Sequence, residues 1–453
     1  MRIASPLALT TFLALAAPTA RATDPTIAFE TYRLANGLTV ILSEDHRLPQ
    51  VAVNIWYHTG AAAEKPGRSG FAHLFEHMMF SGSKHVQPSP FKYLEAIGTA
   101  AGGMANGTTG TDRTNYFEVV PSNELATALW IESDRMAFLL DTLDAQKLKV
   151  QRDVVSNERR QSIESRPYGV TDLRICALLF PPPHPYSGCV IGSIADIQAA
   201  SVDDVKAFFR EWYGPNNASL AIVGDFDPGA AKELVERYFG PIPSGPPVTR
   251  AAIPEPRLAS VVRETLEDAM AEVPRLDLLW NGVRAFSADE AAGDVLAAVL
   301  ADGKTSRLYK SLVFERQVAS SVDAGDDARE IGGDFQITVV AKAGKETKDL
   351  LPPIQSAIDE MKRTGPTSEE VERAKRQIVA GRIRAVERTG GFGGKADILN
   401  QYQTYLGDPG FLPRDLARYR AVTPEAVKAF AVKYLADDRR VELTTIPKPK
   451  AAK

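Results

Sequence analysis

Two histidines four residues apart with a glutamate between them, His73-Leu74-Phe75-Glu76-His77, carry the clearest chemistry in this chain. On an α-helix residues i and i+4 share a face, so the two imidazoles can grip one cation together. Glu76 is placed to reach past that cation toward a water. Zinc takes neutral imidazole and carboxylate ligands and keeps one position open when it acts on a substrate. The neighbours Phe71, Leu74, Phe75, Met78, Met79 and Phe80 are apolar. Burying three polar groups among them is costly without a partner such as a metal. The other four of the six histidines, His46, His58, His85 and His184, sit in turn-like contexts and read as surface residues.

The elements that must position this motif are partly legible. Asn36-Gly37 between Ile27–Leu34 and Leu38–Leu42 is a hairpin signal. Val51, Val53, Ile55 and Tyr57 alternate as in a half-buried strand. The motif predicts a helix over about 70–82, and Pro90 opens a second one from Ser89 to Ile97. Strands are expected at Thr99–Asn106 and Thr114–Val120, then helices over roughly 122–140 and 144–165. The pattern is that of an α+β protein.

At 453 residues, two or more domains are expected. Charge is balanced at −4 without a basic block, which argues against nucleic acid as partner. Arg2, the apolar run Leu7 to Ala17 and Ala20-Arg21-Ala22 form a secretory signal over 1–22. No later segment has the long uncharged run of a membrane anchor, so an exported, periplasmic chain is expected. In such a compartment Cys176 and Cys189 could form a disulfide, although two buried thiols would look the same.

The proline-rich stretch 241–258 divides the mature chain into similar halves. Both end alike: Ser201–Phe208 leads through a helix to the strand Ser219–Val223, and Thr423–Phe430 leads to Val441–Ile446, with Val-Lys-Ala-Phe in each. Duplication explains this better than chance. The second half has no histidine and cannot hold an equivalent metal site. Its glycine-rich run Gly390–Gly394 lacks the spacing and hydroxyl of a phosphate loop and reads as a break between helices.

Two histidines leave a zinc shell incomplete. Glu158, four residues after Val154 and three after Val155, places a carboxylate on the apolar face of a helix. A metal could neutralise it there, and so could an ion pair with Arg152 or Arg159.

The inverted spacing His-x-x-Glu-His, with Arg152–Arg159 downstream, resembles the pitrilysin-type (M16) zinc metallopeptidases, and in particular their short-chain bacterial and mitochondrial-processing-peptidase-like branch. Gly102–Thr108, His184-Pro185-Tyr186, Tyr213–Ala218 running into Val223-Gly224-Asp225, and Gly303–Tyr309 extend the resemblance over nearly the whole mature chain. It implies two homologous α/β-roll domains of the LuxS/metallopeptidase-like fold: a catalytic zinc-binding domain over 23–240 and a non-catalytic one over 259–453. Zn2+ would be held by His73, His77 and Glu158, and Glu76 would take a proton from the attacking water. An edge strand around Ala105–Thr108 would bind unfolded peptides by β-pairing, with Asn106 a substrate contact or a turn residue.

Two departures from the family stand out. Gln151 replaces a glutamate that assists the site seven residues before the ligand glutamate, so it can hydrogen-bond but adds no charge. In the second half, Val313 and Ser320 stand where self-sufficient members carry a substrate-contacting arginine and tyrosine. Arg307 and Arg316 nearby read as ordinary helix-surface residues. The expectation is a zinc-bearing subunit of a heterodimer whose related partner supplies the missing pair, with a homodimer possible. A non-catalytic assembly or peptide-binding subunit of the same fold is the alternative. A solute-binding protein also has two similar halves, but does not need the histidine motif.

Overall fold

The computed structural model describes residues 24–250 and 252–449; the signal segment 1–22 lies outside them. Among the described residues eleven strands form two sheets. The first contains β1 (Glu30–Arg33), β2 (Thr39–Glu44), β3 (Gln50–Tyr57), β4 (Ala105–Thr109), β5 (Thr114–Pro121) and β6 (Ala218–Gly224), in the order β1-β2-β6-β3-β5-β4. The second contains β7 (Val262–Asp268), β8 (Arg275–Asn281), β9 (Ala319–Asp327), β10 (Asp334–Ala341) and β11 (Val441–Pro447), in the order β7-β11-β8-β10-β9. Residues 243–250 and 252–258 between them have no regular structure.

The two sheets share one plan. In the first, β2 runs parallel to β6, and β6-β3-β5-β4 are antiparallel. In the second, β7 runs parallel to β11, and β11-β8-β10-β9 are antiparallel. Only the β1 hairpin arm, turned at Asn36-Gly37, is extra. The similar segments at the two chain ends occupy matching places, the helices Val202–Trp212 and Pro424–Tyr434 leading into the matching central strands β6 and β11. Ser201 and Thr423 cap those helices through their hydroxyls, as their hydroxyl-first sequences predict.

Each sheet buries one face on its own helices and the other on a helix from the opposite half. The helix Lys395–Leu406 covers β3 and β6, where Ala396 and Leu399 pack on Ile41, Ala52, Ala221 and Val223. In return the helix Gly169–Leu179 lies on the second sheet, with Leu178 and Leu179 against Leu279, Val441 and Leu443. Hence β3 is buried along both faces, not one. Its polar residues satisfy the crossing helix: Trp56 donates to Asp397 (2.9 Å), Asn54 donates to Asp397 (3.2 Å), and Asn400 donates to the Asn54 carbonyl (2.8 Å).

The strand expected at Thr99–Asn106 begins only at Ala105. Residues 102–104 form a turn instead, and Gly98 and Gly102 have positive φ. The motif helix is also shorter than expected, Phe71–Met78. The helix Ala145–Arg159 continues as a wider turn over Arg160–Glu164.

Candidate metal centre

The motif helix starts at a residue that cannot cap it. Gly70 has φ +85° and no side chain. Glu64 supplies the cap from six residues upstream, accepting from the Gly70 N–H (3.0 Å) and the Ala72 N–H (2.8 Å). The residue as a whole is half-buried, but its carboxyl end is enclosed. Burial pushes its pKa up to about 8, against the pull of those N–H groups. Glu64→Ala is expected to cost about 2 kcal/mol of stability in urea unfolding, and the near-isosteric Glu64→Gln much less. The folded value exceeds the ordinary 4.5, so this group stabilises fully below that pH and the contribution is lost as pH rises through about 8. Glu64→Gln should therefore flatten the decline in stability between about pH 5 and 8.

The helix projects His73 and His77 toward the end of the helix Ala145–Arg159. The two Nε2 atoms lie 3.3 Å apart. Glu158 approaches them with Oε2 3.2 Å from His77 Nε2 and Oε1 3.8 Å from His73 Nε2. A tetrahedral ion with bonds of about 2.0–2.1 Å needs ligand atoms roughly 3.3 Å apart, so this triangle fits zinc. Burial, and then the adjacent His77, lower His73 to about 4, which keeps it neutral with a lone pair free. Hydrogen bonding from His77 holds Glu158 below its ordinary range, so it is anionic. The arginines that might have paired with it are engaged elsewhere: Arg152 donates to the carbonyls of Gln198 and Ala200, and Arg159 to Glu164 and the Gly192 carbonyl. Val155 is buried but Val154 is 42% exposed, so Glu158 stands at the border of the apolar face.

Glu76 is buried beside this triangle, and its Oε2 accepts a 2.5 Å hydrogen bond from the Thr109 hydroxyl. Burial raises its pKa, opposed chiefly by that bond. Donor atoms of His73, Glu76 and His77 also lie within 4.8 Å of one another, so distance alone does not separate Glu76 from the ligands. Glu76 is held by Thr109, whereas Glu158 approaches both imidazoles. Strand β4 passes directly over it: a Cβ on Gly107 would stand 3.1 Å from Glu76 Cγ, Phe80 and Tyr116, which explains a glycine within a strand. β4 is the edge of its sheet, and among the described residues its outer side meets no further strand, only a bridge from Ala101 to Ala105. Asn106 lies on it, and its side-chain oxygen accepts from the Gly107 N–H (2.8 Å). Gln151 is half-buried two turns before Glu158 on the same helix. Sequence reasoning missed Thr109 and Glu64, because neither lies in the motif and both reach it through space.

In the second half the corresponding helices meet through ion pairs, and among the described residues no group of three possible metal donors is found there. Its first helix after β8, Glu290–Ala301, and its second helix after β10, Ser368–Ala385, bring Asp294 near Arg382. Arg382 pairs with Asp415 (2.7 Å), and the Tyr419 hydroxyl donates to Asp294 (2.5 Å). Val313 is half-buried, and Ser320 is exposed on β9 with its hydroxyl on the Val340 and Ala341 carbonyls (both 3.3 Å). Arg307 is committed to Glu370 (2.8 Å), and the exposed Arg316 bonds Ser311.

Two of the remaining histidines correct the surface reading. His58 is largely buried between the halves and pairs with Glu330 (2.7 Å), and His184 accepts from the Tyr186 N–H (3.1 Å) with its Nε2 buried. His46 and His85 are more than half exposed, as read. Cys176 and Cys189 are paired, with Cα atoms 5.9 Å apart.

Comparison with known proteins places these observations in a family. Residues 39–177 match the profile described as Insulinase (Peptidase family M16), and residues 199–378 match that of the Peptidase M16 inactive domain. The chain is 27% identical over 385 residues to the zinc protease PqqE of Helicobacter pylori, covering 83% of each. The crystal structure of a protease from Helicobacter pylori superposes with a TM-score of 0.86 at 23% identity, over 93% of this chain and all of that one. The first half of the periplasmic protease PqqL from Escherichia coli gives 0.74 at 18% identity, over 94% of both chains. These two structural likenesses speak for the fold. With both halves matched and the histidine motif in its helix, the chain belongs to the M16 peptidase family.

Proposed function

We propose that this chain is an exported zinc endopeptidase that hydrolyses unfolded peptides, and that it works with a related subunit. One observation carries the reading: two imidazoles and the Glu158 carboxylate converge at ligand spacing, beside a second, separately held carboxylate and the edge strand of the sheet. Zinc held by His73, His77 and Glu158 would supply Lewis acidity to the scissile carbonyl and lower the pKa of a water. Glu76, oriented by Thr109, takes the proton from that water and returns it to the leaving amine. The free edge of β4 aligns the peptide by main-chain pairing, which reads backbone more than side chain and suits varied unfolded substrates. Asn106 on that edge contributes its side-chain amide.

The case for a partner rests on Val313 and Ser320. Neither can offer a cationic or phenolic contact to substrate, and Arg307 is tied to Glu370. Export rests on the signal segment 1–22, and the relative PqqL is periplasmic by name. Among the described residues no helix is long and apolar enough to cross a membrane.

The test is cleavage of a quenched unstructured peptide by the purified, zinc-loaded mature chain, with and without a chelator. Chelator-sensitive turnover by the chain alone supports the peptidase and removes the need for a partner. Silence from a folded chain that retains zinc, relieved by adding a related subunit, supports the heterodimer. Silence in every combination overturns the reading. Gln151→Glu supplies a second carboxylate on the ligand face, and is expected to tighten zinc binding by about tenfold, read by chelator competition.

A further inference from the structure

The Cys176–Cys189 pair joins the two ligand-bearing helices to the other half of the molecule. Cys176 sits in the helix Gly169–Leu179, which is fastened to the second sheet: the Thr171 and Thr445 hydroxyls meet at 2.5 Å, Arg174 pairs with Glu264 (2.7 Å), and Asp268 accepts from the Tyr168 N–H (2.6 Å). Cys189 opens the segment 189–193, which touches both helices of the metal centre. Gly192 presses on Gly70, three residues before His73, so closely that a Cβ on Gly192 would fall 2.3 Å from the Gly70 Cα. The Gly192 carbonyl accepts from Arg159, the neighbour of Glu158, and the Ser193 N–H donates to Ser69 (3.0 Å). Both cysteines also line the recess that opens onto His73 and Glu76, with Leu173 and Val190 beside them, so the bond is accessible to a reductant.

We propose that this disulfide is a positioning link of the metal centre, and that opening it by thiol–disulfide exchange loosens the hold on the metal and slows turnover. The proposal rests on the peptidase reading above for its effect on turnover, but not for its structural core. Exchange would proceed with a dithiol. One thiolate attacks a sulfur of the pair to form a mixed disulfide, and the second thiol of the reductant displaces the remaining cysteine. Cys176 and Cys189 end as thiols, and the dithiol, which gives up the two electrons, ends as its own disulfide. The segment 189–193 is then held only by its packing and by the hydrogen bonds of Gly192 and Ser193.

The experiment compares four forms of the mature chain: oxidised, reduced with dithiothreitol and desalted, reoxidised, and Gly192→Ala with the bond intact. Amide exchange is measured at 70–79 and 189–193, and zinc release is timed against a competing chelator. Reduction is expected to speed exchange in both segments about tenfold, and zinc release by about 10–100-fold, with reoxidation restoring both. Gly192→Ala, which pushes the segment off the motif helix, should reproduce the effect with the bond in place. Unchanged protection at 70–79 and unchanged zinc release in the reduced chain overturn the proposal. If reduction unfolds the chain, Gly192→Ala decides alone, and normal protection and release in that variant overturn it equally. If no form cleaves peptide or retains zinc, the peptidase reading has failed, while the exchange measurement still judges the link.

Discussion

Glu76→Gln is expected to lower kcat by roughly 10²–10⁴-fold while leaving zinc content, KM and fold unchanged. The substitution keeps the size of the side chain and leaves an amide oxygen to accept from the Thr109 hydroxyl, so the position is preserved. It removes only the capacity to take up a proton. In the proposed binding mode the peptide pairs with the β4 edge, which the substitution leaves unchanged, so the loss falls on kcat. Metal analysis, peptide kinetics and unfolding on the same preparation check this. The comparison also settles which carboxylate is which. Glu76 shares a small cluster with both imidazoles. If Glu76→Gln loses zinc, Glu76 is a ligand and the assignment is wrong. If it retains zinc and more than a tenth of the activity, Glu76 is not the base.

The features that could be read from the sequence are local. His73, Glu76 and His77 are fixed by helix periodicity within five residues, and the hairpin at Asn36-Gly37 and the caps at Ser201 and Thr423 are equally short-ranged. The internal duplication showed because both copies end on similar residues. What the sequence concealed depends on distant partners. The alternation in β3 looked like one exposed face, because Ala52, Asn54 and Trp56 are covered by a helix more than 300 residues further on. His58 looked like a surface residue because Glu330, its partner, belongs to the other half. Thr109 and Glu64 hold the motif from a strand and a loop, and no spacing rule points to them. Val154 is exposed, so an apolar helix face does not account for Glu158; what brings it to the imidazoles is the contact between two helices, with 189–193 wedged beside both.

Glu158→Gln should have the opposite signature to Glu76→Gln: loss of the metal first, and of activity as a consequence. In the folded chain the two imidazole Nε2 atoms lie 3.3 Å apart, and the Glu158 carboxylate beside them supplies the negative charge that makes the arrangement favourable for a cation. An amide at 158 can still offer an oxygen, but not a charge. Zinc affinity should fall by about 100-fold or more, beyond the 10–100-fold typical of residues that merely orient ligands. In the native chain a chelator should abolish turnover and added zinc should restore it; in Glu158→Gln restoration should need far more zinc. Binding that favours the folded state raises stability by about 2.7 kcal/mol at a hundredfold excess over Kd, so zinc should raise the unfolding midpoint of the native chain and shift that of the variant much less. Asp153→Asn, on the same helix but facing solvent and paired with Lys149, is the control and should change none of these readouts. A Glu158→Gln chain that binds zinc as tightly as the native one removes Glu158 from the ligand set and leaves the shell to be completed from elsewhere.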